Sequence, residues 1–215
     1  MYRMQIKYSS DFPNQVHQLN LSISQNHYLL KNGEIKYQTK KFDVNWNDYH
    51  KTGKRHLINF LIRDHYSNCF YAEIHPIDEM PDIKKLLFNA WREKDNYEFC
   101  GIPYNLILGK HILDKYPEIQ NLEENIGMKI QLATSGFVTG VRSLRDWEND
   151  IRFEFFYINS KNIKDFQQNT EHICRRINLR ESSKTEQNLL KWKNNNPQGW
   201  IINDRIKFYK QFNKI

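Results

Sequence analysis

Gly101-Ile102-Pro103-Tyr104-Asn105-Leu106-Ile107-Leu108 is a chain break that runs directly into a short apolar strand. Its surroundings decide the fold class. Upstream, Ile83, Leu86, Leu87, Ala90 and Trp91 recur at helical spacing, with Asp82 placed to cap the helix start. Downstream, a helix is expected over Ile112 to Asn125, kinked or restarted at Pro117 and ended by Gly127. Residues 128–133 then supply another strand. A strand set between two helices pairs in parallel with an earlier strand, so Tyr104 to Leu108 should lie beside the first strand of the chain.

That first strand is read from Gln15 to Ile23, which alternates apolar and polar residues. Lys31-Asn32-Gly33-Glu34 is a hairpin turn, and Ile35 to Trp46 can continue extended. The dense apolar run His56 to Ile62 and the run Cys69 to Ile74 are two more strands, joined by a short polar turn. Residues 16–75 therefore read as an antiparallel meander. A glycine-punctuated loop, Ser135 to Gly140, leads into a helix from about Val141. Past it, Ile163, Phe166, Ile173 and Ile177 keep helical phase, and Ser183-x-x-Glu186 has capping-box spacing. The expectation is an α/β fold: antiparallel strands first, parallel strands after, flanked by helices. Residues 1–155 form the core and residues 156–215 a small helical extension.

Composition narrows the function. The chain has 215 residues, 39% of them hydrophobic and 14% aromatic, enough for a substantial core. Mean hydropathy is −0.81, and no apolar run approaches the roughly 20 residues of a membrane span. The opening residues lack the apolar stretch of a signal peptide. Cys69, Cys100 and Cys174 are odd in number and far apart, which suits a reduced, cytoplasmic protein. The net charge of +7 is unevenly placed. Residues 161–215 carry 12 basic and 5 acidic side chains and so account for all of it. A basic end on a neutral body points to a polyanionic partner, with Arg175, Arg176, Arg180, Lys184, Lys191 and Lys193 as candidate contacts.

No nucleophile elbow, phosphate-cradling glycine loop or paired-histidine metal motif occurs. Four segments do share a pattern. Pro13-Asn14-Gln15-Val16-His17-Gln18-Leu19-Asn20 resembles the Pro-Asn-x-x-Trp-x-x-Asp opening of DDE transposases and retroviral-type integrases. Leu61-Ile62-Arg63-Asp64-His65-Tyr66-Ser67-Asn68 resembles that family's Ile-Asp-x-Phe-Ser-Arg turn. Gly101 to Gly109 resembles Gly-x-Pro-x-x-Leu-x-x-Asp-x-Gly, and Ala133 to Leu144 resembles the loop and helix carrying Gly-x-x-Glu-Arg.

The resemblance implies an RNase H-like fold and, ancestrally, polynucleotidyl transfer by two Mg²⁺ ions held on three carboxylates. The matching positions here are Asn20, Gly109, and Arg142 or Ser143. Hard divalent cations depend on charged oxygens, so the expectation is an inactive, transposase-like protein without a cofactor, binding DNA or other transposition proteins and no membrane. The alternative is an active enzyme that uses Mg²⁺ on displaced carboxylates: Asp43 first, with Asp64, Asp114, Asp146 or Glu148. A third reading is a protein-interaction module with Trp192, Trp200 and Phe208 exposed.

Overall fold

The computed structural model describes residues 10–44, 46, 48–133, 140–180 and 186–214. Ser183, Lys184 and nearly all of the expected 135–140 loop lie outside the described residues.

Six strands form one sheet: β1 (Val16–Leu29), β2 (Ile35–Tyr37), β3 (Arg55–Asp64), β4 (Phe70–Pro76), β5 (Asn105–Leu108) and β6 (Lys129–Leu132). The path is β4-β3-β1-β5-β6, and β2 pairs with the far end of β1. β1, β3 and β4 are antiparallel, whereas β5 joins β1 in parallel and β6 joins β5 in parallel. This is the expected mixed sheet. β1 runs on past Ile23 through a register shift to Leu29, so the β1–β2 hairpin projects beyond the sheet body. β2 stops at Tyr37, well short of the extension expected to Trp46.

The helices are α1 (Ile83–Trp91), α2 (Lys110–Lys115), α3 (Asn121–Ile126), α4 (Gly140–Phe156), α5 (Ile163–Gln168), α6 (Thr170–Asn178), α7 (Asn188–Asn194) and α8 (Arg205–Lys210). The Asp82 side chain accepts from the Lys84 amide at the start of α1. Proline cannot donate inside a helix, so the helix expected over 112–125 is divided at Pro117 into α2, a 3-10 turn and α3. Gly127 ends α3 with φ at 69°, a conformation glycine adopts without strain.

Successive β1 side chains point to opposite faces. His17 faces α1, where it accepts from the Trp91 indole N–H at 3.1 Å. The other face lies under α4. The boundary expected at residue 155 falls inside α4, and the helices beyond it join the same apolar core. Trp192 packs on Phe99, and Phe208 packs on Phe88 and Trp91. The expected exposed apolar patch is therefore corrected: Trp192 and Phe208 are buried, and Trp200 is partly buried against Tyr104. These rings sit where the C-terminal segment folds back over α1 and the Gly101 turn.

Asn14 ties the two ends of the chain together. Its amide donates to Asp64, its Nδ2 donates to the Cys100 carbonyl, and its Oδ1 lies 2.9 Å from His17 Nε2 and accepts from the Trp192 indole. Gly101, at φ 100°, passes so close to this side chain that a Cβ there would collide with the Asn14 amide.

Candidate functional site

The parallel register pairs Leu19 with Leu108, which brings Asn20 level with Gly109 on the neighbouring strand. The β1–β3 register puts Gln18 opposite Arg63, Asn20 opposite Leu61 and Ser22 opposite Asn59 on one face. Gln18, Asn20, Ser22 and Ser24 thus form a polar row on β1 beneath α4. Helix α4 is fastened onto that row. Trp147 Nε1 donates to Asn59 Oδ1 at 2.9 Å, and Asn59 Nδ2 donates to Glu148 at 2.6 Å. Glu148 also accepts from Ser24 Oγ at 2.9 Å and from the Gln25 amide at 3.2 Å.

The chemistry at the Asn20–Gly109 junction is poor in negative charge. Asn20 Nδ2 and Ser22 Oγ are buried and have no hydrogen-bond partner among the described residues. Gly109 carries no side chain, and the space a Cβ would take is held by the His111 imidazole, at 2.6 Å and 2.8 Å. Ser143 is buried on α4, where it lines a cleft of about 500 Å³ together with Arg63, Arg142, Asp146, Glu186 and Lys191. Arg63 is a buried cation on the same face as Asn20, with its guanidinium on Gln18 Oε1 and Asn68 Oδ1. Burial pulls it down to about 10, against the opposing pull of Asp64, so it stays charged at neutral pH.

The displaced carboxylates do not come together. Asp43 is exposed in the segment after β2, and Asp114 is exposed on α2. Asp64 is buried at the end of β3 opposite His17, on the α1 face. There it accepts from the Ser67 amide and hydroxyl and from the Asn14 amide, which makes it the keystone of the β3–β4 turn. Asp146 lies on α4 in the Arg63 cleft. Burial raises its carboxyl, while Arg142, Arg145 and Arg180 pull it back. Among the described residues no group of three His, Cys, Asp or Glu is placed to hold a metal ion.

No family model matches the chain, and no curated protein matches it. Among solved structures it is similar to a chain of the simian T-cell lymphotropic virus intasome in complex with PP2A regulatory subunit B56 gamma. That match has a TM-score of 0.50 at 10% identity and covers 90% of this chain. The fold is that of a retroviral integrase core. The present chain spans 60% of the length of the intasome chain. It is also similar to the HTLV-2 integrase catalytic core domain in complex with magnesium (trimeric form), with a TM-score of 0.42 at 12% identity, covering 80% of this chain and 91% of that one.

On this integrase-like core four of the C-terminal basic residues singled out from the sequence are engaged with acids of the body. Arg175 and Lys193 both reach Glu98, at 3.2 Å and 3.6 Å. Arg176 pairs with Asp150 and Glu154 of α4, and Arg180 pairs with Asp150. Lys191 Nζ donates to the Tyr66 carbonyl at 2.8 Å and lies over the Tyr66 ring. Four of the 12 basic side chains counted in the tail therefore neutralise buried or half-buried carboxylates at long sequence separation. Sequence reasoning missed that pairing and also missed Arg63. Its one available sign was an arginine ending an otherwise apolar strand.

Proposed function

We propose that this integrase-like chain does not perform polynucleotidyl transfer and instead binds a nucleic acid or a transposition partner. One observation carries the reading. The two neighbouring strand positions that resemble the family's metal-binding carboxylates offer an amide, Asn20, and a bare backbone, Gly109. The third position offers the Ser143 hydroxyl or the Arg142 cation. Two Mg²⁺ ions need several anionic oxygens, and the buried Arg63 cation, opposite Gln18 on the same face as Asn20, opposes them further. This donor set does not fit the metals, so no cleavage step is assigned. Asp43, Asp64 and Asp146 stand on three separate parts of the fold, which also disfavours the displaced-site alternative.

Supercoiled plasmid incubated with the protein and Mg²⁺ or Mn²⁺ tests this reading. The expected result is retained binding without nicking. Metal-dependent nicking abolished by Asp146→Asn or Asp43→Ala would overturn it.

A further inference from the structure

Phe153-Glu154-Phe155-Phe156-Tyr157-Ile158 ends α4 and begins the turn after it, with a large apolar side chain at every position but one. Of these only Phe155 is buried; Phe153, Phe156, Tyr157 and Ile158 are 39%, 51%, 77% and 53% exposed. Residues three and four apart share a helix face, so Phe153, Phe156 and Tyr157 stand together. Tyr37 of the projecting β1–β2 hairpin extends the group, its ring centroid 5.0 Å from that of Phe156. At roughly 200 Å² for a full side chain, the open surface is about 400 Å². Apolar patches of that size on soluble proteins serve as interaction sites.

The patch stands on a fixed frame. The Ile35 amide donates to the Lys161 carbonyl at 2.6 Å, and the Ile163 amide donates to the Gly33 carbonyl at 3.2 Å. Glu34 and Asn162 form an antiparallel bridge between them, so the hairpin is zipped to the chain just past α4. Lys161 Nζ donates to the Phe155 carbonyl and closes the helix end. Groups already held in place lose little freedom when a partner covers them.

Three observations say what covers it. The first is area: a stable dimer buries about 800 Å² on each partner, twice what this patch offers, so a second copy is a poor occupant. The second is charge. Glu154, the one carboxylate in the run, is buried on Arg176. Arg152 is exposed one turn before Phe156, and Lys161 Nζ lies 5.7 Å from the Phe156 ring centroid. Two such rims would repel each other, whereas an acidic partner is attracted. The third is ring packing. Phe153 is stacked on Tyr157 at 5.1 Å, the Arg176 guanidinium lies 5.3 Å from the Phe153 centroid, and Phe156 meets Tyr37 edge to face. These faces are engaged with one another, which suits aliphatic contact better than the stacking of bases. The run rises about 8 Å along the helix axis, the reach of an amphipathic helix that presents anchors at i, i+3, i+4 and i+7.

We propose that this seam of α4 and the hairpin docks a short acidic amphipathic helix of a partner protein. Its apolar anchors cover Phe156, Tyr157 and Ile158, and its carboxylates meet Arg152 and Lys161. The proposal rests on the partner-binding side of the role given above and names the surface that performs it.

The test is fluorescence anisotropy with a labelled synthetic peptide that carries leucine at i, i+3, i+4 and i+7 and glutamate elsewhere. A twin peptide has lysine for each glutamate, and a labelled mixed-sequence oligonucleotide is the third probe. Wild type is compared with Tyr157→Ser/Ile158→Ser, with Arg152→Gln, and with Ile206→Ser, a comparably open isoleucine on α8. Wild type should bind the acidic peptide at least about tenfold more tightly than the lysine twin. The double variant should lose at least about tenfold. Arg152→Gln should lose about threefold and show a weaker salt dependence, while Ile206→Ser should stay within about twofold. Tyr157 and Ile158 are the most open residues of the patch, and an unchanged circular-dichroism melt will confirm that the fold is kept. Acidic-peptide binding that the double variant keeps in full overturns the patch. A lysine twin bound as tightly overturns the acidic partner. Oligonucleotide binding lost in the double variant overturns the assignment to a protein. Wild type that binds the oligonucleotide and neither peptide overturns the docking site but leaves the binding role standing. Wild type that binds no probe overturns both.

Discussion

His17 should make this protein lose stability in mild acid by an amount the structure fixes. The imidazole is completely buried between α1 and the Gly101 turn, stacked on Phe99 with ring centroids 5.3 Å apart. Its two nitrogens have opposite roles: Nδ1 accepts from Trp91 Nε1, and Nε2 donates to Asn14 Oδ1. A second proton could enter only at Nδ1, where it would face the indole N–H. Burial, assisted by the Lys94 charge, holds the group at about 3, against 6.5 in the unfolded chain. Asp64 stands 3.9 Å away and favours the charged form, but its oxygens are already taken by Asn14 and Ser67.

The unfolded chain therefore binds more protons than the folded one below about pH 6.5, and stability falls as pH falls. Between about pH 7.5 and pH 5 the loss from His17 alone is about 2 kcal/mol. That figure barely changes for any folded value below about 4, because the unfolded value sets it. His56 and His65 are also lowered by burial and add to the wild-type slope, so a difference isolates His17. Urea unfolding of wild type and His17→Gln at both pH values measures it. Glutamine can still accept from Trp91 and donate to Asn14 but does not titrate. The wild type should lose about 2 kcal/mol more than the variant. Equal losses would refute the argument, as would an NMR titration of the His17 ring with a midpoint near 6. The ring signal should stay flat to about pH 4.5, a check that does not depend on the variant folding.

Other outcomes follow from the same contacts. Arg176→Gln removes a partner of the buried Asp150 and Glu154. With Arg180 still on Asp150, the cost in urea unfolding should be about 2 kcal/mol, below the figure for a fully broken buried pair. Trp147→Phe deprives Asn59 Oδ1 of its donor and should cost about 1–2 kcal/mol, with the fold kept by circular dichroism. Gly101→Ala places a Cβ against Asn14 at a positive φ and should lower the thermal midpoint by several degrees. Gly109→Asp should be tolerated within about 1 kcal/mol, since φ there is −73° and the exposed His111 ring can turn aside.

The order of strands and helices was legible because periodicity and breakers are local properties. Gly101 and Pro103 delimit β5, Asp82 caps α1, and the alternation from Gln15 to Ile23 marks β1. The pairing of β1 with β5 followed from connection rules, and that placed Asn20 beside Gly109. Side-chain partnerships across the fold were not legible. Alternation on β1 shows which residues share a face, but not that Gln18 and Ser24 are buried beneath α4. Nor can it reveal that Arg63 is folded inward onto Gln18. The tail's charge was countable, yet its partial neutralisation by Glu98, Asp150 and Glu154 depends on contacts 22 (Arg176 to Glu154) to 95 (Lys193 to Glu98) residues apart.

The central claim is that Asn20, Gly109 and Ser143 leave this integrase-like core without a metal site. Titration of the purified wild-type protein with Mn²⁺, followed by electron paramagnetic resonance of the free ion, tests it directly. The account predicts no stoichiometric binding up to millimolar Mn²⁺, with any weak uptake unaltered by Glu148→Gln or Asp146→Asn. One or two equivalents bound tightly, and released by either substitution, would contradict it.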